Sequence, residues 1–229
     1  MKNSIILTGD IHGNIDRILK IPDENLTKND VVIILGDFGV IWSPDDLYTE
    51  AILQRLAQKN FTVAFVDGNH ENFPLINEMQ EIKEWNGGRA GFLPYGIIHL
   101  LRGEIYNIND RVIGVCGGAN SIDKAWRIDG ESWWKEEEIT QEDVLNFTRN
   151  LKGRTHLDMI LSHDCPAEVS QIISKLYVTG PAFDVSPSQY CLEQIKQCIQ
   201  FDKWYFGHWH INKEITDKYE CLYENVKEV

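Results

Sequence analysis

Short apolar runs that end in glycine and then a polar turn punctuate this chain. The first is Ser4-Ile5-Ile6-Leu7-Thr8-Gly9-Asp10-Ile11-His12-Gly13. A run of this kind predicts a buried strand with its polar residues just past the C-terminal end. Asp30-Val31-Val32-Ile33-Ile34-Leu35-Gly36-Asp37 repeats the pattern, and residues 61–66 do so again before Asp67-Gly68-Asn69-His70-Glu71. Between the runs, residues 14–20 predict a short helix stopped by Pro22, and residues 45–59 a longer amphipathic one. Leu47, Ala51, Leu53, Leu56 and Ala57 are the expected inner face of the longer helix. Strands alternating with helices favour a parallel sheet with right-handed crossovers, which gathers the polar turns on one edge.

The middle of the chain changes character. Residues 97–101, 104–108 and 111–116 predict strands, the last two joined by a tight Asn109-Asp110 turn. A Trp-rich stretch at about 119–138, with Trp126, Trp133 and Trp134, fits neither a plain strand nor a plain helix and is expected to form a cap loop. A helix is predicted at 140–151, and an apolar strand runs through 157–161 to Ser162-His163. Ser186-Pro187 opens a further helix to about residue 200, serine as N-cap and proline at the first helical position. The run Trp204-Tyr205-Phe206-Gly207-His208-Trp209-His210 is the last to end in histidines, and residues 211–226 are expected to add closing strands.

Composition narrows the function classes. A length of 229 residues suits a single domain, 1–229, and no repeat or Pro/Gly/Ser-rich linker divides it. A formal net charge of −13 argues against long nucleic acid as a partner, since that binding runs on Lys and Arg. It leaves room for a small phosphate ester, because a bound metal ion reverses the sign locally. No apolar run approaches the roughly 20 residues needed to span a bilayer. The five cysteines form no CxxC pair, and residues 1–3 lead straight into the first strand. Reduced thiols, no cleavable leader and a cytoplasmic location are therefore expected. The oligomeric state is left open.

Five of the seven histidines fall in the strand-end turns: His12, His70, His163, His208 and His210. With Asp10, Asp37 and Asn69 they make a mixed nitrogen and oxygen set suited to manganese, iron, zinc or cobalt. A structural zinc site is disfavoured because no cysteine joins the cluster. His99, in an apolar strand, and His156, in a polar loop, read as incidental, and Asp67, Glu71 and Asp164 as supporting carboxylates.

The motifs Asp10-x-His12, Gly36-Asp37, Gly68-Asn69-His70-Glu71, His163 and Gly207-His208-x-His210 resemble, in that order, the calcineurin-like metallophosphoesterase superfamily. The resemblance implies a four-layer α/β/β/α sandwich of two mixed sheets flanked by helices. It implies two divalent metal ions, manganese first, with iron, zinc, cobalt or nickel as alternatives. Asp10, His12 and His210 would hold one; Asn69, His163 and His208 the other; Asp37 would bridge both. His70 would be the catalytic residue, touching phosphate or protonating the leaving oxygen, while water activated between the ions attacks phosphorus. The sequence departs from the Ser/Thr protein phosphatase branch, which carries Gly-Asp-x-Val-Asp-Arg-Gly where this chain has Gly36-Asp37-Phe38-Gly39-Val40-Ile41-Trp42. The second acid and the arginine are missing, so a bacterial or phage-type member acting on a small monoester or short diester is expected. A phosphodiesterase for cyclic nucleotides or nucleic-acid ends is the alternative, with a protein phosphatase or a silent metal-binding scaffold behind it. Arg127 and Lys124, in the Trp-rich stretch, are the candidate cations for gripping phosphate.

Overall fold

The structure is a computed structural model and describes residues 3–43, 47–177 and 184–229. Strands β1 (Ile5–Thr8), β2 (Val31–Leu35) and β3 (Thr62–Val66) lie side by side and parallel, Ile5 opposite Val31 and Val31 opposite Thr62. All but Thr62 are buried. Covered on both faces, such strands read as unbroken apolar runs, which is why the sequence shows them so plainly. The crossovers are α1 (Asp16–Leu19) and α2 (Leu47–Ala57). The inner face of α2 is Thr49, Ile52, Leu53 and Leu56, an i, i+3, i+4, i+7 stripe. Leu47 and Ala51, expected on that face, are instead exposed, Leu47 at 82%.

β6 (Ile98–Leu100) continues the sheet parallel to β3, and two antiparallel strands, β5 (Gly88–Phe92) and β4 (Glu81–Trp85), extend it. β13 (Val226–Glu228) closes the other edge against β1. The second sheet runs β11 (Lys213–Glu214), β12 (Tyr219–Cys221), β10 (Gln200–Phe206), β9 (His156–Ser162), β8 (Arg111–Cys116) and β7 (Ile105–Ile108). The sequence pattern missed β4, an exposed edge strand, and β5, whose two glycines and single fully buried apolar side chain, Ala90, make no apolar run. It also missed two helices, α3 (Phe73–Met79) and α5 (Ala167–Tyr177). Asn72, which caps α3 by accepting from Leu75 N at 3.2 Å, and Pro74 behind it were the local signal. Helices α4 (Gln141–Asn150) and α6 (Pro187–Cys198) stand as expected, with Thr140 and Ser186 as N-caps in capping boxes.

Alternating side chains sort the molecule into four layers. Leu7, Ile33, Ala64 and Val66 face Ile113, Val115, Met159 and Leu161 between the sheets. Ile6, Val32, Ile34 and Phe65 point outward onto Ile18, Ile52 and Leu56. On the far side Ile160, Trp204 and Phe206 meet Phe147, Ile173, Leu192 and Ile195. This is the four-layer sandwich of two mixed sheets that the family resemblance implies. No helix among the described residues is long and apolar enough to cross a membrane.

Asp30, just before β2, ties two segments together. Its carboxylate accepts from Ser4 N at 2.6 Å, from Thr27 N at 2.7 Å and from the Thr27 hydroxyl at 3.0 Å. Burial alone raises this carboxyl, but the donated hydrogen bonds outweigh it and hold the group below its ordinary value. Asp30→Asn replaces an acceptor with a donor facing Thr27 N and is expected to cost about 1–3 kcal/mol at pH 7. A depressed carboxyl stabilises above the unfolded-state value of about 4 and loses that contribution as pH falls through the folded one. Urea unfolding of both proteins from pH 7 to pH 3 should therefore show the difference narrowing only below about pH 4.

Candidate metal centre

The candidate ligands sit beyond the C-terminal ends of five strands. Asp10 and His12 follow β1, Asp37 follows β2, Asn69 and His70 follow β3, His163 follows β9, and His208 and His210 follow β10. Each sheet supplies part of the set, and packing the sheets face to face brings the two groups of turns together. His12 Nε2 lies 3.2 Å from His210 Nε2 and 3.7 Å from Asp37 Oδ2, and His210 Nε2 lies 3.1 Å from Asp10 Oδ2. His163 Nε2 is 3.1 Å from Asn69 Oδ1, 3.3 Å from Asp37 Oδ1 and 3.3 Å from His208 Nδ1.

Local backbone shape aims these groups. His12, Asp37, His208 and His210 all have positive φ, between 45° and 63°. Non-glycine residues adopt that conformation at a cost, and such strain collects at functional sites. Two glycines admit close neighbours. A Cβ at Gly36 would overlap the His163 ring, and one at Gly68 would overlap the Asp37 carboxylate. The Asp37 carboxylate is fixed by Asn69 N and His70 N, which donate to Oδ1 at 2.9 and 2.8 Å. Asn69 donates its Nδ2 to Ser121 Oγ at 3.0 Å, which turns its carbonyl oxygen toward His163.

The donor chemistry fits cations. His163 donates Nδ1–H to the Leu35 carbonyl at 2.8 Å, so its Nε2 lone pair faces other acceptors. Asp10 Oδ2 is buried and makes no directed hydrogen bond. Acceptors this close need positive charge between them. Although burial opposes it, Asp37 and Asp10 pull the His163 imidazole well above its ordinary pKa, the same demand expressed as a proton. Groups of three ligand atoms within 4.8 Å form at Asp10, His12 and His210, at His12, Asp37 and His70, and at Asp10, Asp37 and His163.

A family profile for calcineurin-like phosphoesterases matches residues 4–212. The chain belongs to that family. No curated protein gives a significant match. Members are metal-dependent phosphoester hydrolases, and the strand-end turns of this calcineurin-like phosphoesterase carry Asp/His clusters able to hold such metals.

Around the cluster, the supporting carboxylates are fully occupied. Glu71 accepts from Phe38 N at 2.7 Å and Gly39 N at 3.1 Å, which shapes the turn carrying Asp37. Its burial, with Asp37 nearby, pushes its carboxyl up to about 8. Asp164 accepts from Cys165 N, Gln189 Nε2 and Trp209 Nε1 at 2.8–3.0 Å. His99, stacked on Phe65 at 4.8 Å, bonds Gln80 and Asp67, and His156 pairs with Asp202; both stand apart from the cluster.

The two candidate phosphate cations part company. Arg127 reaches the site, with Nη2 2.8 Å from His70 Nε2 and Nε 2.8 Å from Asp123 Oδ1. The same Nη2 lies 3.3 Å from His70 Nδ1, so the guanidinium sits against both ring nitrogens. Burial, then Arg127 and His12, lower the His70 imidazole to about 4 against the pull of Asp37. Lys124 turns away instead, 2.8 Å from Glu138 Oε1 and 3.8 Å above the Trp133 ring. The Trp-rich stretch is likewise divided. Trp134 is buried and meets Trp42 edge to face at 5.5 Å, whereas Trp126 is 84% exposed.

One support had no sequence signal. Tyr223 stacks on His210 with ring centroids 4.4 Å apart, and Arg17 hydrogen-bonds both the Tyr223 carbonyl and, at 2.9 Å, the Thr8 hydroxyl. Tyr223 lies outside the family match and follows no motif, so only the fold reveals it.

Proposed function

We propose that this protein hydrolyses small phosphate esters with two divalent ions, manganese first among them. Asp10, His12 and His210 hold one, Asn69, His163 and His208 the other, and Asp37 is shared. The observation that carries this reading is the convergence of acceptor atoms near His12 and near His163, beside the guanidinium of Arg127. Two ions bound there supply electrostatic stabilisation of phosphoryl oxygens and acidify water.

The chain's own residues do the rest. Asp37 Oδ1 is held by two backbone donors while Oδ2 stays open to the site. Arg127 is held by Asp123 through Nε and by the Asn69 and Ser132 carbonyls, each 3.4 Å from Nη1, and offers Nη2 to phosphoryl oxygens, taking the place of the arginine missing after Asp37. His70, released from Arg127 when the guanidinium turns to phosphate, is placed to donate a ring N–H hydrogen bond to a phosphoryl or leaving oxygen. A cleft of about 620 Å³ lined by His70, Ser121, Asp123, Arg127, His208 and Trp209 takes the organic group. Its size suits a small substrate rather than a folded phosphoprotein.

Metal-free protein reloaded with Mn²⁺ should hydrolyse p-nitrophenyl phosphate, bis(p-nitrophenyl) phosphate or both. Arg127→Ala should raise KM for the accepted ester about tenfold to a hundredfold, as expected for losing charge-assisted hydrogen bonds. No turnover of either ester by protein with metal bound would overturn the reading, and an unchanged KM would remove Arg127 from it.

A further inference from the structure

A second cleft opens beside the same residues. It encloses about 610 Å³, and its lining includes His12, Asp16, Trp42, Tyr48, Ile52 and Arg55. His12 lines this cleft, His70 lines the one already described, and their rings meet edge to face at 5.1 Å. The phosphate position proposed above therefore has a cavity at each flank. A phosphomonoester carries one organic group on phosphorus and needs one cavity. A phosphodiester carries two.

The lining indicates what the second group is. Arg55 makes no ion pair with any described residue, in a chain whose formal net charge is −13. A guanidinium stays charged at any working pH and matches phosphate oxygens in a fork. Beside it stand two aromatic rings, Trp42 at 39% and Tyr48 at 69% exposure. Trp42 is held in place by its edge contact with Trp134 and by Asn72 Nδ2, which donates to its carbonyl at 2.9 Å. A fixed aromatic surface next to a guanidinium is the pairing that recognises a base and its phosphate. Isolated surface aromatics are ordinary; these share a cleft with a candidate metal ligand.

We propose that this cleft binds a nucleotidyl group, so that the substrate is a short phosphodiester whose second arm carries an aromatic base and a further phosphate. The proposal rests on the phosphoesterase reading above and specifies its substrate. The base lies against Trp42 and Tyr48, the further phosphate meets Arg55, and the bond between phosphorus and the oxygen of the other arm is cleaved by water.

The probes are a thymidine dinucleotide with a 5′-terminal phosphate, pTpT, and the same dinucleotide without it, TpT. With Mn²⁺-loaded protein the terminal phosphate is expected to lower KM about tenfold, the scale of one charge-assisted contact. Arg55→Ala should bring the two KM values together, and Arg55→Lys should restore part of the gap. Trp42→Ala should raise both together. Equal KM values in the unaltered protein, or an advantage of pTpT that survives Arg55→Ala, would overturn the proposal. Calorimetric titration of both probes into metal-free protein separates the two readings. An Arg55-dependent preference in binding without hydrolysis of any ester supports the cleft and removes the phosphoesterase reading. Hydrolysis of aryl esters with no such preference does the reverse.

Discussion

Asp37→Asn is expected to lower kcat/KM about a thousandfold or more, equivalent to roughly 4 kcal/mol, and to lower retained metal at the same time. Asp37 is 1% exposed, and its Oδ1 accepts from Asn69 N and His70 N. Asparagine keeps that oxygen, so the turn after β3 retains both hydrogen bonds and the fold survives. It exchanges Oδ2, 3.7 Å from His12 Nε2, for an amide nitrogen that cannot ligate, and it removes the charge both proposed ions share. Asp37→Ala would also orphan two backbone donors and so mix folding with function. The check is metal content after dialysis, measured beside kcat/KM on whichever aryl ester the unaltered protein accepts. Unchanged metal content and rate would show that Asp37 is not shared between ions.

Asp67→Ala is expected to cost about 3–5 kcal/mol of stability, roughly 6–20 °C in Tm for a chain of this size. Asp67 is buried, and the Arg102 guanidinium beside it holds its carboxyl well below the usual range, against the effect of burial. Arg102 Nε donates to Asp67 Oδ2 at 2.6 Å, and His99 Nε2 lies 3.2 Å from Oδ1. Only 13% of the Arg102 side chain is exposed, so losing the carboxylate leaves a buried cation with Asp143, at 4.0 Å, as its remaining and more distant ion-pair partner. The same guanidinium donates to the carbonyls of Glu138 at 3.1 Å and Glu137 at 3.4 Å, anchoring the base of the Trp-rich stretch under the substrate cleft. Thermal and urea unfolding of metal-free protein would measure the loss apart from ligand binding. A cost below about 1 kcal/mol would mean that water replaces the carboxylate at Arg102.

The parts of this protein legible in its sequence are those coded over a few residues. β1, β2 and β3 declare themselves because strands buried on both faces must be apolar throughout, and β9 and β10 do so by their buried C-terminal halves. Their glycine, acid or histidine endings mark the turns, and the recurrence of five histidines in four of those turns marked the candidate ligands as a set. Ser186 with Pro187 announced α6 by capping chemistry, which is also local. β4 escaped because solvent covers it, and β5 because its two glycines and one fully buried Ala90 make no apolar run.

What only the tertiary structure decided depends on residues far apart in the chain. His12 and His210 approach to 3.2 Å across 198 positions, and no periodicity encodes such a contact. Arg127 and Lys124 looked equivalent three residues apart; packing sent one to His70 and the other to Glu138. Tyr223 beneath His210, Arg102 beside Asp67 and Arg55 at the rim of the second cleft carry no local mark at all. Local pattern follows from what each short segment must bury. The chemistry of the site follows from which buried segments meet, and that is set when two sheets pack face to face.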